Sequence, residues 1–229
     1  MLEAYRLDSV RRINEVRATL DVIKHMESQD PLVPDSKEVL ILRGLYYVHL
    51  YGAFEYSINQ GVQAVLGFIT SSKVQVNHIE HILNSVVLDS QFNSYKDSGV
   101  DVKWEKRISL LSEIQSDGEC RINDAVFSYY LQNIWYKSLE QVFKCLCIPD
   151  RCVPENRLIG YIDEIVNKRN SVAHGRESAA DVGAGTRSPD LQIRFDAIVQ
   201  VINHIYDCFE NYLLGKHFIS EIHRISYAE

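Results

Sequence analysis

Apolar residues recur along this chain at three- and four-residue intervals, the spacing of one face of an α-helix. Val10, Ile13, Val16, Leu20 and Ile23 predict a first helix over about residues 2–28, with Arg6, Arg11, Arg12 and Arg17 on its flanks. A polar stretch at 30–36 reads as a loop, and Asp35 or Ser36 is placed to cap the next helix. That second helix, to about residue 68, is apolar nearly all round and therefore belongs at the centre of a bundle. Unbroken, it spans roughly 50 Å at ~1.5 Å per residue, unless Gly61 or Gly67 bends or ends it.

The pattern continues with a shorter helix at about 76–88, a polar and poorly periodic stretch at 89–102, and a helix at 104–114. Ser116-Asp117-Gly118 reads as a turn. Asn123 or Asp124 can cap a long helix ending at 148, before Pro149. Pro154 opens a helix that runs to about 174, where Gly175 suits its C-terminus. Residues 177–187 are small and polar and read as a mobile loop. Ser188-Pro189 starts a last helix that Gly215 stops, leaving a tail at 219–229. The two long helices at the C-terminal end, joined by a short loop, should pack antiparallel. The fold class is all-α, with about seven helices.

Composition agrees with that reading. Hydrophobic residues make up 46% of the 229, while Gly and Pro number 11 and 5, as in a globular chain with few helix breakers. No apolar signal segment follows Met1, and Arg43, His49 and Glu55 interrupt the greasiest run, at 39–69, so no membrane span is expected. The five cysteines are odd in number and contain no C-x-x-C. Cys145-x-Cys147-x4-Cys152 lacks zinc spacing, so free thiols in a reducing, cytoplasmic setting are expected, with no metal. His78 and His81 are three apart on a predicted helix, with no acidic or thiol pattern to complete a metal site, and read as a solvated face. Gly183-Ala184-Gly185-Thr186 lacks the remainder of a phosphate loop and reads as a connector. The tyrosines and tryptophan at 46, 47, 51, 129, 130 and 135 fall at helical spacings and read as core or dimer packing. A net charge of -7 argues against broad coating of nucleic acid, whereas residues 168–187 carry a small positive excess.

The chemistry concentrates at Arg169-Asn170-Ser171-Val172-Ala173-His174-Gly175. Leu158, Ile162, Ile165, Arg169 and Val172 form one helix stripe, so Arg169 stands where an aliphatic side chain belongs. Asn170 and His174 lie four apart on the adjoining ridge. A guanidinium at a packed surface needs a neutralising partner or a polar cleft. Glu55 or Asp163 is the candidate partner for an ion pair; His174 near a helix end can instead simply face the dipole there.

These residues, written R-N-x-x-x-H with Ala173 and Gly175 flanking the histidine, resemble the motif of the HEPN superfamily (higher eukaryotes and prokaryotes nucleotide-binding domains). The segment at 131–139 and the early apolar run at 44–55 are similar to the family's corresponding helices. The nearest likeness is to HEPN proteins encoded beside bacterial restriction, defence and toxin–antitoxin genes. The resemblance implies one HEPN-like helical bundle over 1–229, with the motif helix and C-terminal helix at 154–214 and room for a small insertion at 89–118. It also implies a homodimer whose two motifs face each other across a cleft, RNA as substrate, an antitoxin or defence-system partner protein, and no cofactor. Many such proteins are metal-independent endoribonucleases; others are non-catalytic modules that bind nucleotide, RNA or a protein.

The side chains suit the first activity. Histidine can move a proton to or from a 2′-hydroxyl or a leaving oxygen, and arginine offers a permanently charged fork to a phosphorane. Arg169, His174 and Asn170 are thus the candidate catalytic residues. Arg176, Lys168 and Glu55 are candidates for substrate binding or for supporting Arg169. Some HEPN toxins carry a modifiable tyrosine two residues after the histidine; Arg176 occupies that position here.

Overall fold

Helix α1 (Glu3–Met26) buries Ser9, Ile13, Val16, Leu20 and Ile23, a stripe that steps by four and three. Val10 falls outside it and is exposed. The computed structural model describes residues 2–30 and 32–227, so residue 31 of the predicted loop and residues 228 and 229 of the tail lie outside it. Ser36 caps α2 (Lys37–Ser71), its hydroxyl accepting from the Val39 N–H. Gly61 and Gly67 do not interrupt this helix. At Gly61 the missing side chain instead makes room for the Phe209 ring, which a Cβ would meet at 3.0 Å.

Helix α2 is the axis of the molecule, buried on most of its circumference as its sequence requires. Pairs such as Asp8–Tyr56, Thr19–His49 and Glu27–Arg43 run α1 antiparallel to it. The 76–88 segment forms two 3-10 turns and the one-turn helix α3 (Asn84–Val87) in place of the predicted helix. The 89–102 segment, read as irregular, contains helix α4 (Asp89–Lys96). It pairs with α5 (Lys103–Ile114) through Lys106–Ser94 and Arg107–Tyr95 bonds.

Helix α6 (Tyr136–Cys145) begins well after the predicted start of its helix. Asn123 caps only a turn, accepting from Ala125 N. Helices α7 (Arg157–Ala173) and α9 (Ser188–Leu214) pack antiparallel, as Arg194–Glu164 and Gln200–Glu155 register. Between them, residues expected as a mobile loop form α8 (Ala179–Ala184), capped by Ser178 and pressed against α2. A Cβ on Gly44 would lie 1.9 Å from the Ala179 carbonyl oxygen, and one on Gly183 1.8 Å from that of Leu40. Small residues here allow backbone-to-backbone contact.

Among the described residues, seven helices reach eight residues or more; α3, α8 and α10 (Glu221–Arg224) are shorter. Among the described residues, β structure is limited to two isolated bridges. The tail docks: Phe218 and Ile219 are buried, and the Tyr227 hydroxyl meets His78 Nδ1 at 2.8 Å. His78 also stacks on His223, so only His81 of the predicted solvated pair is exposed. Cys120, Cys152 and Cys208 are buried free thiols, with Cys145 and Cys147 half-buried. Burial pushes the Cys120 and Cys208 thiols up to about 12.

Arg43, 2% exposed, ties three elements together. Its Nε donates to Glu27 at the end of α1 (2.7 Å), and its Nη2 to Asp35 before α2. Glu27 in turn accepts the Ser188 N–H and hydroxyl at 2.8 and 2.6 Å, capping α9. A buried arginine paired with two carboxylates that take further bonds from Ser28 and Ser188 meets the condition under which such a charge is tolerated. No helix among the described residues is long and apolar enough to cross a membrane.

Candidate functional site

The last turn of α7 sets the position of the motif. The His174 N–H closes the helix on the Asn170 carbonyl (3.0 Å), and Gly175 then takes φ +67°, the left-handed conformation that glycine adopts without strain. The Arg176 and Glu177 N–H groups return to the Ser171 carbonyl at 2.9 and 3.3 Å. His174 therefore stands at the helix terminus, exposed, with Arg176 exposed beyond it.

Arg169 is half-buried, and its guanidinium lies on the face of the Tyr51 ring, 3.8 Å from the centroid. Its Nη2 donates to the Gln132 carbonyl (3.2 Å), while Nε is buried without a hydrogen-bond partner. The same carbonyl accepts from the Tyr51 hydroxyl (3.1 Å), which accepts the Ile134 N–H (3.0 Å). This explains the break in the helix predicted at 123–148. Side chains from α2 and α7 take the main-chain groups of 132–134 that a helix would have paired internally, and Asn133 turns to an extended conformation. Tyr51 is 1% exposed, and burial raises its phenol above the ordinary range.

Neither carboxylate expected beside Arg169 forms an ion pair with it. Asp163 accepts the Tyr136 N–H at the start of α6 (3.2 Å). Glu55, one turn beyond Tyr51 on α2, is half-buried and near enough to feel the guanidinium. Burial lifts its carboxyl above the usual value, and Arg169 and the Tyr51 hydroxyl draw it back only partly. Arg43 is committed to Glu27 and Asp35 and forms no ion pair with Glu55. Among the described residues Lys168, Arg169 and Arg176 have no salt-bridge partner, so three cations within nine residues stay unneutralised in an acidic chain. The Asn170 Oδ1 is buried with no hydrogen-bond partner.

Arg169 and Glu55 are thus brought together where α7 faces α2, with the motif turn at the end of α7, whereas no hydrogen bond links His174 to Arg169 or Glu55 among the described residues. Sequence reasoning missed Tyr51 and Gln132. Tyr51 had a signal, since it lies four residues from Glu55 on one ridge of α2. Gln132 had none, because it acts through its backbone.

The arrangement presents a fixed guanidinium, two further cations and an imidazole to solvent, a set that can hold an anion and exchange protons with it. Comparison with curated proteins and with solved structures finds no match to this chain. A family model, RiboL-PSP-HEPN, matches residues 7–211, most of the length and the whole motif. The chain belongs to the RiboL-PSP-HEPN family and carries a HEPN superfamily domain.

Proposed function

We propose that this protein is a metal-independent endoribonuclease that cleaves RNA by attack of a 2′-hydroxyl on the adjacent phosphate. The observation that carries the reading is the Arg169 guanidinium, laid on Tyr51 and unneutralised, with exposed His174 following five residues later. Charge accumulates on the phosphorane, and a fixed, permanently charged fork offsets it without reorganising. Nε of Arg169 has no partner to give up, and the Nη2 bond to Gln132 is to a neutral carbonyl.

His174 transfers protons. One imidazole takes the proton of the 2′-hydroxyl; a second returns one to the 5′-oxygen as it leaves. One chain supplies one motif histidine, so the reading includes a homodimer with the two motif turns facing each other. Asn170 positions the motif turn from beneath His174, its Oδ1 buried and unpartnered. Lys168 and Arg176 bind flanking phosphates. Glu55 steadies Arg169 through space without quenching its charge. One hydrophobic core extends from Leu2 to Ile219, which supports reading 1–229 as a single HEPN-like domain with α4 and α5 as an insertion. The cellular setting in this reading is a cytoplasmic bacterial defence or toxin–antitoxin system with a protein partner, supported by the motif's resemblance.

A second reading, a non-catalytic module binding nucleotide, RNA or protein, is favoured by the Gln132 carbonyl that occupies part of the Arg169 fork. RNA degradation in EDTA separates the two. Wild type should cleave, and Arg169→Ala and His174→Ala should each lose at least about a hundredfold in rate, the scale of losing one charge-stabilising donor. Cleavage that survives both substitutions contradicts the proposed site; an intact substrate with wild type favours the binding module.

A further inference from the structure

Two aromatic rings stand out of the core next to this site. Tyr129 is 85% exposed and Tyr130 46%, although Leu131 beside them is fully buried. Of the two roles expected from their spacing, core packing accounts for Tyr46, Tyr47 and Tyr51 but not for these two, which leaves them dimer packing or a ligand. They lead the 3-10 turn Tyr130–Gln132. The Gln132 N–H donates to the Tyr129 carbonyl (3.4 Å), and the Gln132 carbonyl accepts from Arg169 (3.2 Å). Tyr129 is thus one main-chain bond away from the residue that Arg169 holds. The ends of such a turn lie within roughly 7 Å of each other, on the order of one nucleotide.

We propose that Tyr129 and Tyr130 form a stacking platform for an unpaired RNA base adjoining the phosphate that Arg169 binds. The proposal rests on the reading of Arg169 and His174 as an RNA site. Lys168, Arg169 and Arg176 meet the phosphates; none of them offers a flat apolar surface to a base. Exposed tyrosine rings do, and every base has a π-face to lay on them, so the platform tolerates any sequence. Gln132 and Asn133, both exposed, bring amide donors and acceptors to the base edges beside the rings. A base inside a duplex is already stacked, so the platform selects single-stranded segments.

Binding of a short 2′-O-methyl oligoadenylate, which cannot undergo 2′-hydroxyl attack, tests this alongside an abasic oligomer of equal length. The Tyr129→Ala/Tyr130→Ala double variant should bind the base-bearing oligomer about tenfold more weakly or worse. Its affinity for the abasic oligomer should be unchanged, and phenylalanine at both positions should restore wild-type binding. Both side chains face solvent, and circular dichroism checks that the fold is kept. Unchanged affinity for the base-bearing oligomer overturns the platform. Equal losses for the two oligomers overturn it too, with light scattering showing whether the tyrosines instead join subunits. The two readings fail separately. Base-selective binding through the tyrosines by a protein that leaves RNA intact keeps the platform and removes the nuclease. Cleavage lost in Arg169→Ala but untouched in the tyrosine variant does the reverse.

Discussion

Arg43 and Arg169 each interrupt an apolar helix stripe, and the fold treats them in opposite ways. Arg43 is sealed from water against Glu27 and Asp35. Arg43→Ala leaves both carboxylates buried without their cation and should lower stability by about 3–5 kcal/mol in urea unfolding. Burial alone would raise the Asp35 carboxyl, but the Ser28 N–H, Arg43 and Arg187 outweigh it and hold the group below its ordinary 3.8. The folded state then binds fewer protons than the unfolded one. The contribution is complete above pH 3.8 and drains away as pH falls through the lower folded value. Asp35→Asn should therefore flatten the loss of stability below about pH 4 in an acid titration followed by circular dichroism. Tyr51→Phe strips the hydroxyl that joins Gln132 O to Ile134 N and leaves a buried N–H unpaired. A loss of about 1–3 kcal/mol is expected by the same unfolding measurement. At this scale Arg169 was legible as a candidate, because a charged residue in an aliphatic stripe is visible in one dimension, and Asn170 and His174 followed as candidates from their spacing beside it. Their surroundings were not. Arg43 finds Glu27 and Asp35 from other segments, and Arg169 finds a main-chain carbonyl that leaves no mark in a sequence.

Helices with a continuous stripe were recovered nearly to their ends: α1, α2, α5, α7 and α9 all fall where the periodicity puts them. Two of the misread elements share a cause, since tertiary contacts overrode local pattern in both. Residues 123–135 have helical spacing, but the Gln132 carbonyl and the Ile134 N–H are taken by Tyr51 and Arg169, and the stretch before them closes only into turns. Helix α8 looks like a loop because Ala and Gly make up four of its six residues, the small residues that a backbone-to-backbone crossing requires. Its docking also anchors the chain three residues after Arg176. Gly183→Ala would drive a methyl into the Leu40 carbonyl, and Gly44→Ala into that of Ala179. Each should lower stability by about 1–3 kcal/mol, the usual range for overpacking. Amide exchange at 179–184 and in the turn after His174 should accelerate in both variants, whereas a Gly52→Ala control, with open space around its Cβ, should not change it.

For the whole molecule, the all-α class and the HEPN membership followed from periodicity and from one short motif, and 7–211 carries the family's pattern. Oligomeric state and substrate leave weaker traces, since each depends on surfaces that a single chain does not pair. In the proposed mechanism a subunit contributes one His174, so proton removal and proton return draw on two copies. Light scattering on the purified protein should give twice the 26.3 kDa of the chain; a monomer that still cleaves RNA would place both proton transfers within one subunit. The most direct measurement is the chemistry of the new RNA ends after digestion in EDTA by wild type and by His174→Ala. Arginine-assisted 2′-hydroxyl attack leaves a 2′,3′-cyclic phosphate and a 5′-hydroxyl, absent with His174→Ala. Fragments ending in 3′-hydroxyl and 5′-phosphate, or cyclic ends formed equally well by His174→Ala, would contradict cleavage through Arg169 and His174.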